Sequence, residues 1–292
     1  MMKVAIIGTQ GMLGSTVCRY LSEKNYQILE INSSGKTQSS NRVAKFDIAV
    51  NEIEMLENNL KGIDFVINCA GLIKHKIDKN STESLNNLIR INSLFPIQLT
   101  SLSHKLSFRV IQVATDCVYS GEKGNYSESD DKDPVDYYGY SKVLGEHFDD
   151  NLITLRCSLI GRELNSKVEF LEWVLSHSKE NEISGFIDHF WNGLTTLHFA
   201  KIINSIIRGN TFKAGTFHLV PSGSVSKFEL ARIILEFFGK SDVKITQSQS
   251  YKAVNRILTT NYQEFNNDMW GKAGYNSPLT ISEMVKEYAL WA

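Results

Sequence analysis

The chain has 292 residues, of which 42% are hydrophobic and 22% charged, and its formal net charge is −1. These ordinary values suit one large α/β domain, or a main domain with a smaller lobe, and leave no electrostatic argument for nucleic acid or an anionic membrane as partner. No run approaches the roughly 18 apolar residues of a membrane span, and the first apolar run is too short for a secretory signal, so the cytoplasm is the expected compartment.

Taken in order, the first half alternates short apolar runs with longer amphipathic ones. Val4 to Ile7 reads as a buried strand, followed by a glycine-rich turn and a helix from about Met12 to Glu23. Ile28 to Ile31 and Val43 to Phe46 are further strands, and a helix is expected over about 50–60. Asp64 to Ala70 is a fourth strand, and one long helix is expected over about 84–105. Arg109 to Ala114 and Leu152 to Leu159 complete six strands. Repeated β-α-β units with runs this apolar predict a Rossmann-type, doubly wound parallel sheet covered on both faces.

The second half is less regular. Ser226-Lys227-Phe228-Glu229 reads as a capping box opening a helix that Gly239 ends, and Thr280-Ile281-Ser282-Glu283 as another. No linker, repeat or low-complexity tract separates the halves. The expected division is a dinucleotide-binding domain over 1–165, with segments around 190–215 returning to it, and a smaller lobe over 166–292 for substrate. Cys18, Cys69, Cys117 and Cys157 are widely spaced, form no Cys-x-x-Cys pair, and read as reduced core residues. No metal site is expected.

Gly8-Thr9-Gln10-Gly11-Met12-Leu13-Gly14 spaces its glycines as G-x-x-G-x-x-G between a strand and a helix. A phosphate at a helix N-terminus meets free backbone N–H groups and the positive end of the dipole. The first two glycines permit close approach, and the third lets helix and strand pack tightly. An ordinary β-turn-α connection is the plain alternative. Gly8, Gln10, Gly11, Met12, Leu13 and Gly14 are therefore candidate cofactor contacts.

The second strand ends Leu29-Glu30-Ile31-Asn32-Ser33-Ser34-Gly35-Lys36. An acid at this tip would bind the ribose 2′-hydroxyl and repel a 2′-phosphate. Asn32 stands where that acid is sought, and Ser33, Ser34 and Lys36 suit a phosphate. The reading leans to NADP(H), with NAD(H) as the alternative.

Tyr138 and Lys142 lie four residues apart behind Asp136, a natural N-cap, which places both on one helix face. A nearby ammonium favours phenolate and is expected to lower the phenol, making a tunable acid. A surface i,i+4 contact is the bland alternative. Val113-Ala114-Thr115-Asp116 changes the balance, because it sets a hydroxyl at the C-terminal edge of a central strand, where open α/β sheets bind ligands. Thr115 can there donate to a carbonyl oxygen. Thr115, Tyr138 and Lys142 are the candidate catalytic residues.

The glycine spacing, with Phe46-Asp47-Ile48 and Asn68-Cys69-Ala70-Gly71, resembles the extended short-chain dehydrogenases/reductases. Thr115-Asp116-Cys117-Val118-Tyr119-Ser120-Gly121, then Lys123 to Glu128, then Tyr138 to Glu146, is more specifically similar to the dTDP-4-dehydrorhamnose reductase family. The resemblance covers about residues 1–165 and continues loosely through Gly193-Leu194-Thr195-Thr196, Phe217-His218-Leu219 and Arg256-Ile257-Leu258. It implies NAD(P)H-dependent reduction of the keto group of a nucleotide-linked deoxysugar for polysaccharide or glycan synthesis. It also implies adenine contact by Asp47 and Ile48, although Asp47 also reads as a plain helix N-terminal residue. By the same resemblance Cys69, Ala70, Gly71, Tyr138 and Lys142 would contact the cofactor, Lys142 holding the nicotinamide ribose, and Tyr138 would also donate the proton. Thr115 and Asp116 would touch the sugar, and Arg256 the diphosphate, a surface arginine being its plain alternative.

One departure concerns the sugar. Leu159 stands where the family often has tryptophan, leaving Trp173, Phe186 and Trp191 as alternative aromatic surface. A 4,6-dehydratase usually carries Thr-Asp-Glu, and Cys117 occupies that glutamate position. A nucleotide-sugar epimerase of the same fold and a non-catalytic regulatory subunit remain open alternatives. A homo-oligomer is compatible with the sequence.

Overall fold

The computed structural model describes residues 1–37, 39–164, 166–178, 180, 182–209 and 211–292. Strands β1 (Met2–Ile7), β2 (Tyr26–Asn32), β3 (Arg42–Lys45), β4 (Phe65–Asn68), β5 (Arg109–Ala114) and β6 (Leu152–Arg156) alternate with helices. These are α1 (Met12–Ser22), α2 (Glu57–Leu60), α3 (Thr82–Ile89), α4 (Phe95–Leu106) and α5 (Tyr137–Gly145). Beyond them follow β7 (Leu159–Ile160), α6 (Phe170–Ser176), β8 (Glu182–Phe186), β9 (His189–Trp191), β10 (Leu194–Thr195), α7 (Thr196–Arg208) and β11 (Gly215–His218). The chain closes with β12 (Val225–Ser226), α8 (Lys227–Phe237), β13 (Lys244–Ser248), β14 (Val254–Asn255), α9 (Gln263–Lys272) and α10 (Ile281–Trp291).

Seven strands form a parallel sheet in the order β11-β6-β5-β4-β1-β2-β3. The order reverses between β1 and β4, which opens a crevice at the C-terminal ends of these strands. Alternation along each strand feeds two cores. Val4 and Ile6 of β1, Ile67 of β4 and Ile111 of β5 face the layer containing α1 and α7. Ala5, Ile7, Val66 and Val110 face the layer of α2 and α4. The first of these cores runs on without a break into Leu171, Trp191, Leu230, Trp270, Met284 and Tyr288 of the later segments. The second half therefore packs on one face of the sheet, and β11 joins its edge.

Three expected elements differ. The helix expected over 50–60 is a 3₁₀ turn, Ile53–Leu56, followed by the single-turn α2. The chain first winds around Asp47, whose carbonyl accepts from the Val50 and Asn51 amides. The long helix over 84–105 divides into α3 and α4 around a π-helical stretch, Arg90–Leu94. Pro96 at the start of α4 has no N–H to bond four residues back, so the ordinary ladder cannot cross this point. The strand expected over 152–159 stops at Arg156, because Ser158 turns away and its carbonyl accepts from the Leu194 amide at 2.9 Å. β7 then pairs with β10 in a separate small sheet. Both capping boxes form as expected, on Ser226/Glu229 and on Thr280/Glu283. No helix among the described residues is long and apolar enough to cross a membrane.

Candidate active site

The glycine turn lies at the C-terminal end of β1. Gly8 has φ +85°, and a Cβ there would meet the Ala70 backbone nitrogen at 2.9 Å. Its amide donates to Ile31, and its carbonyl accepts from Gly11 at 3.0 Å. A Cβ on Gly14 would stand 2.2 Å from the Gly8 carbonyl oxygen, so α1 reaches the turn only without a side chain. Gly11 differs. A Cβ there would lie no nearer than 3.4 Å to any neighbour, and the residue is exposed. Gly11 caps α1 with no side-chain hydrogen bond, which leaves the first amides of the helix without a protein partner. The protein's own packing therefore leaves room at Gly11, and the vacant donors match an anionic phosphate. On these observations the turn fits a dinucleotide.

Asn32, at the tip of β2, is buried and fully bonded. Its oxygen accepts from the Gly35 amide and the Ser34 hydroxyl, and its nitrogen donates to the Thr9 hydroxyl and the Lys36 carbonyl. All its hydrogen-bonding capacity shapes the loop. Ser33 and Lys36 are exposed beside it. Asp47 uses one carboxylate oxygen to accept from the Ala49 amide at 3.0 Å. Beside it the Ile48 carbonyl accepts from Arg90 at 2.8 Å.

Across the crevice, Thr115 ends β5 and α5 begins at Tyr137, with Asp136 accepting from the Gly139 amide as its N-cap. A Cβ on Gly139 would come within 2.5 Å of the Cys117 carbonyl, so the helix start lies flat on the strand end. This brings the Tyr138 side chain to the Thr115 hydroxyl, which acts on it electrostatically. Lys142, nine-tenths buried, reaches the turn after β4, where its ammonium stands 3.2 Å from the position a Gly71 Cβ would take. Thr115, Tyr138, Lys142 and the Cys69-Ala70-Gly71 turn thus share one place.

One expectation is overturned here. The ammonium was expected to lower the phenol. Instead burial pushes Tyr138 above its ordinary value, with Cys117 and Asp116 adding to it and the Thr115 hydroxyl opposing. Lys142 is itself held down to about 8 by burial. The consequence is a phenol that keeps its proton at neutral pH. Such a group holds a proton it can give, and no stored phenolate.

Asp116 accepts from Thr115 at 3.2 Å. Burial raises its carboxyl, against the pull of Arg256 and Lys227. Arg256 donates to the Tyr119 carbonyl at 2.8 Å and approaches the Cys117 sulfur, so it borders the strand end instead of standing free on the surface. Trp191 is buried nearby under Lys227, whereas Trp173 and Phe186 are partly exposed and lie against His177 and His189. All four cysteines are free, and Cys117 sits within the site.

Two residues were missed by sequence reading. Asn92, in the π-helical stretch, bonds the Leu72 amide and carbonyl at 2.9 Å each and the Ser141 hydroxyl at 3.0 Å. It therefore ties the loop after Gly71 to α5. Lys227 is the other, and no pattern in the sequence marked it beyond its place in a capping box.

A glycine turn at the reversal of a parallel sheet, with Thr, Tyr and Lys meeting opposite it, defines the short-chain dehydrogenase/reductase class of oxidoreductases. The particular branch follows from the comparisons. The chain belongs to the family described as "RmlD substrate binding domain", whose model matches residues 2–289. It is 26% identical to the "dTDP-4-dehydrorhamnose reductase" of Aggregatibacter actinomycetemcomitans, over 99% of this chain and 94% of that one. It is likewise 26% identical to the "Probable low-salt glycan biosynthesis reductase Agl14" of Haloferax volcanii, over 83% and 82% of the two chains. Among solved structures, a dTDP-4-dehydrorhamnose reductase from Bacillus anthracis in complex with NADP superposes with a TM-score of 0.78 over 100% of both chains. At 21% identity that likeness speaks for the fold alone.

Proposed function

We propose that this chain reduces the keto group of a nucleotide-activated deoxysugar, using NAD(P)H, to supply a precursor for polysaccharide or glycan synthesis. The observation that carries this reading is the gathering of Thr115, Tyr138 and the buried Lys142 around the ends of β4 and β5, opposite the glycine turn. The bound nicotinamide supplies the hydride. Thr115, whose hydroxyl proton is given to Asp116 in this structure, would turn it to the carbonyl oxygen and steady the charge that develops there. Tyr138 then gives its proton to the resulting alkoxide, a stronger base than a phenolate, so a raised phenol suits the task. Lys142 would supply positive charge to the site and hold a ribose hydroxyl. The relatives named as reductases of dTDP-4-dehydrorhamnose and of a glycan pathway support the same substrate class.

The first amides of α1 and the backbone around Gly11 would hold the pyrophosphate, and Asp47, Ile48 and Cys69 to Gly71 would line the adenosine and nicotinamide ends. Exposed Ser33 and Lys36 favour a 2′-phosphate, since no free carboxylate at Asn32 opposes it. The test is a screen of nucleotide 4-keto sugars, including dTDP-4-dehydrorhamnose, with both reduced cofactors, followed at the nicotinamide absorbance. Turnover is expected with NADPH favoured over NADH, and Lys36→Ala should shrink that preference by about 10- to 100-fold, as one charge-assisted contact of about 1.5–3 kcal/mol implies. No cofactor oxidation with any 4-keto sugar nucleotide would reject the reading.

A further inference from the structure

The small sheet β12-β9-β14 brings two cations to the edge of the site. Asn255 of β14 and Ser226 of β12 both pair with Phe190 of β9. Arg256 and Lys227 are the next residues along each outer strand. Arg256 is engaged by the Tyr119 carbonyl and Cys117. Lys227 is not. Its ammonium lies 4.3 Å from the centre of the Phe170 ring and 5.6 Å from that of Trp191, half-buried, with no hydrogen bond or ion pair among the described residues. Ser226 and Glu229 fix it there by their capping box, since Lys227 is the first residue of α8.

Two carboxylates act on this ammonium from beyond ion-pair distance. Asp116 is one, beside the catalytic hydroxyl of Thr115. Glu169, at the start of α6, is the other, and its carboxylate likewise has no hydrogen-bond partner among the described residues. Burial raises the Glu169 carboxyl, with His75 and Lys227 pulling it down. A charge partly withdrawn from water without hydrogen bonds is costly, and two such groups, Lys227 and Glu169, stand near Asp116, which accepts from Thr115.

Resting on the function proposed above, we propose that Lys227, with Asp116 and Glu169, clamps a ring hydroxyl of the sugar and so sets specificity for a hydroxylated hexose. A hydroxyl both accepts and donates, which matches an ammonium on one side and carboxylates on the other. A carboxylated sugar would bring a third anion to Asp116 and Glu169 and is disfavoured. The half-buried Phe170 ring offers apolar surface beside the ammonium for the C–H face of a pyranose, whereas Trp191 is buried beneath it. Lys227 acts here as a substrate-positioning residue and takes no part in hydride or proton transfer.

The test compares wild type with Lys227→Met, which keeps the length of the side chain and its packing on Phe170. With dTDP-4-dehydrorhamnose and NADPH, KM for the sugar should rise about 10- to 100-fold, as expected for a lost charge-assisted hydrogen bond. The KM for NADPH and the melting temperature should stay put. Of the analogues lacking the 2- or the 3-hydroxyl, one should give wild type and variant the same KM. An unchanged KM for dTDP-4-dehydrorhamnose in the variant, or a tenfold gap that persists with both analogues, would overturn the role of Lys227 alone. A wild-type enzyme inert toward every 4-keto sugar nucleotide would overturn the proposed function, and this inference with it.

Discussion

Tyr138→Phe should cut turnover of a 4-keto sugar nucleotide by about 10²–10⁴-fold, the range that a positioned proton donor supplies. The substitution keeps the ring that packs at the start of α5 and removes only the hydroxyl on which Thr115 acts. NADPH should bind as before, because the glycine turn lies across the crevice from this hydroxyl. Steady-state kinetics together with a fluorescence titration of the cofactor separate the two effects. Cofactor binding that fell in step with turnover would place Tyr138 in binding instead of proton transfer.

The second large effect concerns the turn, where two glycines serve different ends. Gly14→Ala forces a methyl to 2.2 Å from the Gly8 carbonyl oxygen, backbone against backbone, with no flexible side chain to give way. Overpacking of this kind costs about 1–3 kcal/mol. The melting temperature should drop and saturable cofactor binding should vanish. At Gly11 the added methyl meets only the Gly8 carbonyl, at 3.4 Å, so Gly11→Ala should melt like wild type. It should nevertheless weaken NADPH binding by at least tenfold, since the methyl projects where the pyrophosphate approaches the N-terminus of α1. Thermal melts and calorimetric titration of both variants decide this. Equal affinity of Gly11→Ala and wild type would mean that no ligand approaches the turn closely.

Much of this was legible in the chain. The run Val4 to Ile7 followed by three spaced glycines announced the first β-α unit, because strand, turn and helix start each have their own residue chemistry. Asp136 with Tyr138 and Lys142 was equally open to reading, since an N-cap fixes where the helix begins and hence which side chains share a face. What stayed hidden depends on long-range packing. The effect of burial on Tyr138 is set by how α5 lies on Cys117, and nothing in Tyr-x-x-x-Lys records that. Asn92 was concealed inside an apparently regular amphipathic helix, although Pro96 was a warning that the helix could not run straight through. Lys227 stands at the first position of a helix, where a lysine ordinarily reads as solvated surface. It becomes part of a site only because β12 and β14 flank β9 and carry Lys227 and Arg256 to opposite sides of it. Asn32 illustrates the converse, for the sequence singled it out at the tip of the second strand while its amide is spent on shaping the loop.

The most direct measurement follows the hydride itself. Wild type is incubated with dTDP-4-dehydrorhamnose and NADPH deuterated on the transferring face of the nicotinamide, and the product is examined by mass spectrometry and NMR. The geometry of Thr115, Tyr138 and Lys142 predicts one deuterium at the former carbonyl carbon, with one equivalent of NADP formed per sugar reduced. Sugar returned unlabelled, or isomerised with the reduced cofactor unspent, would contradict it.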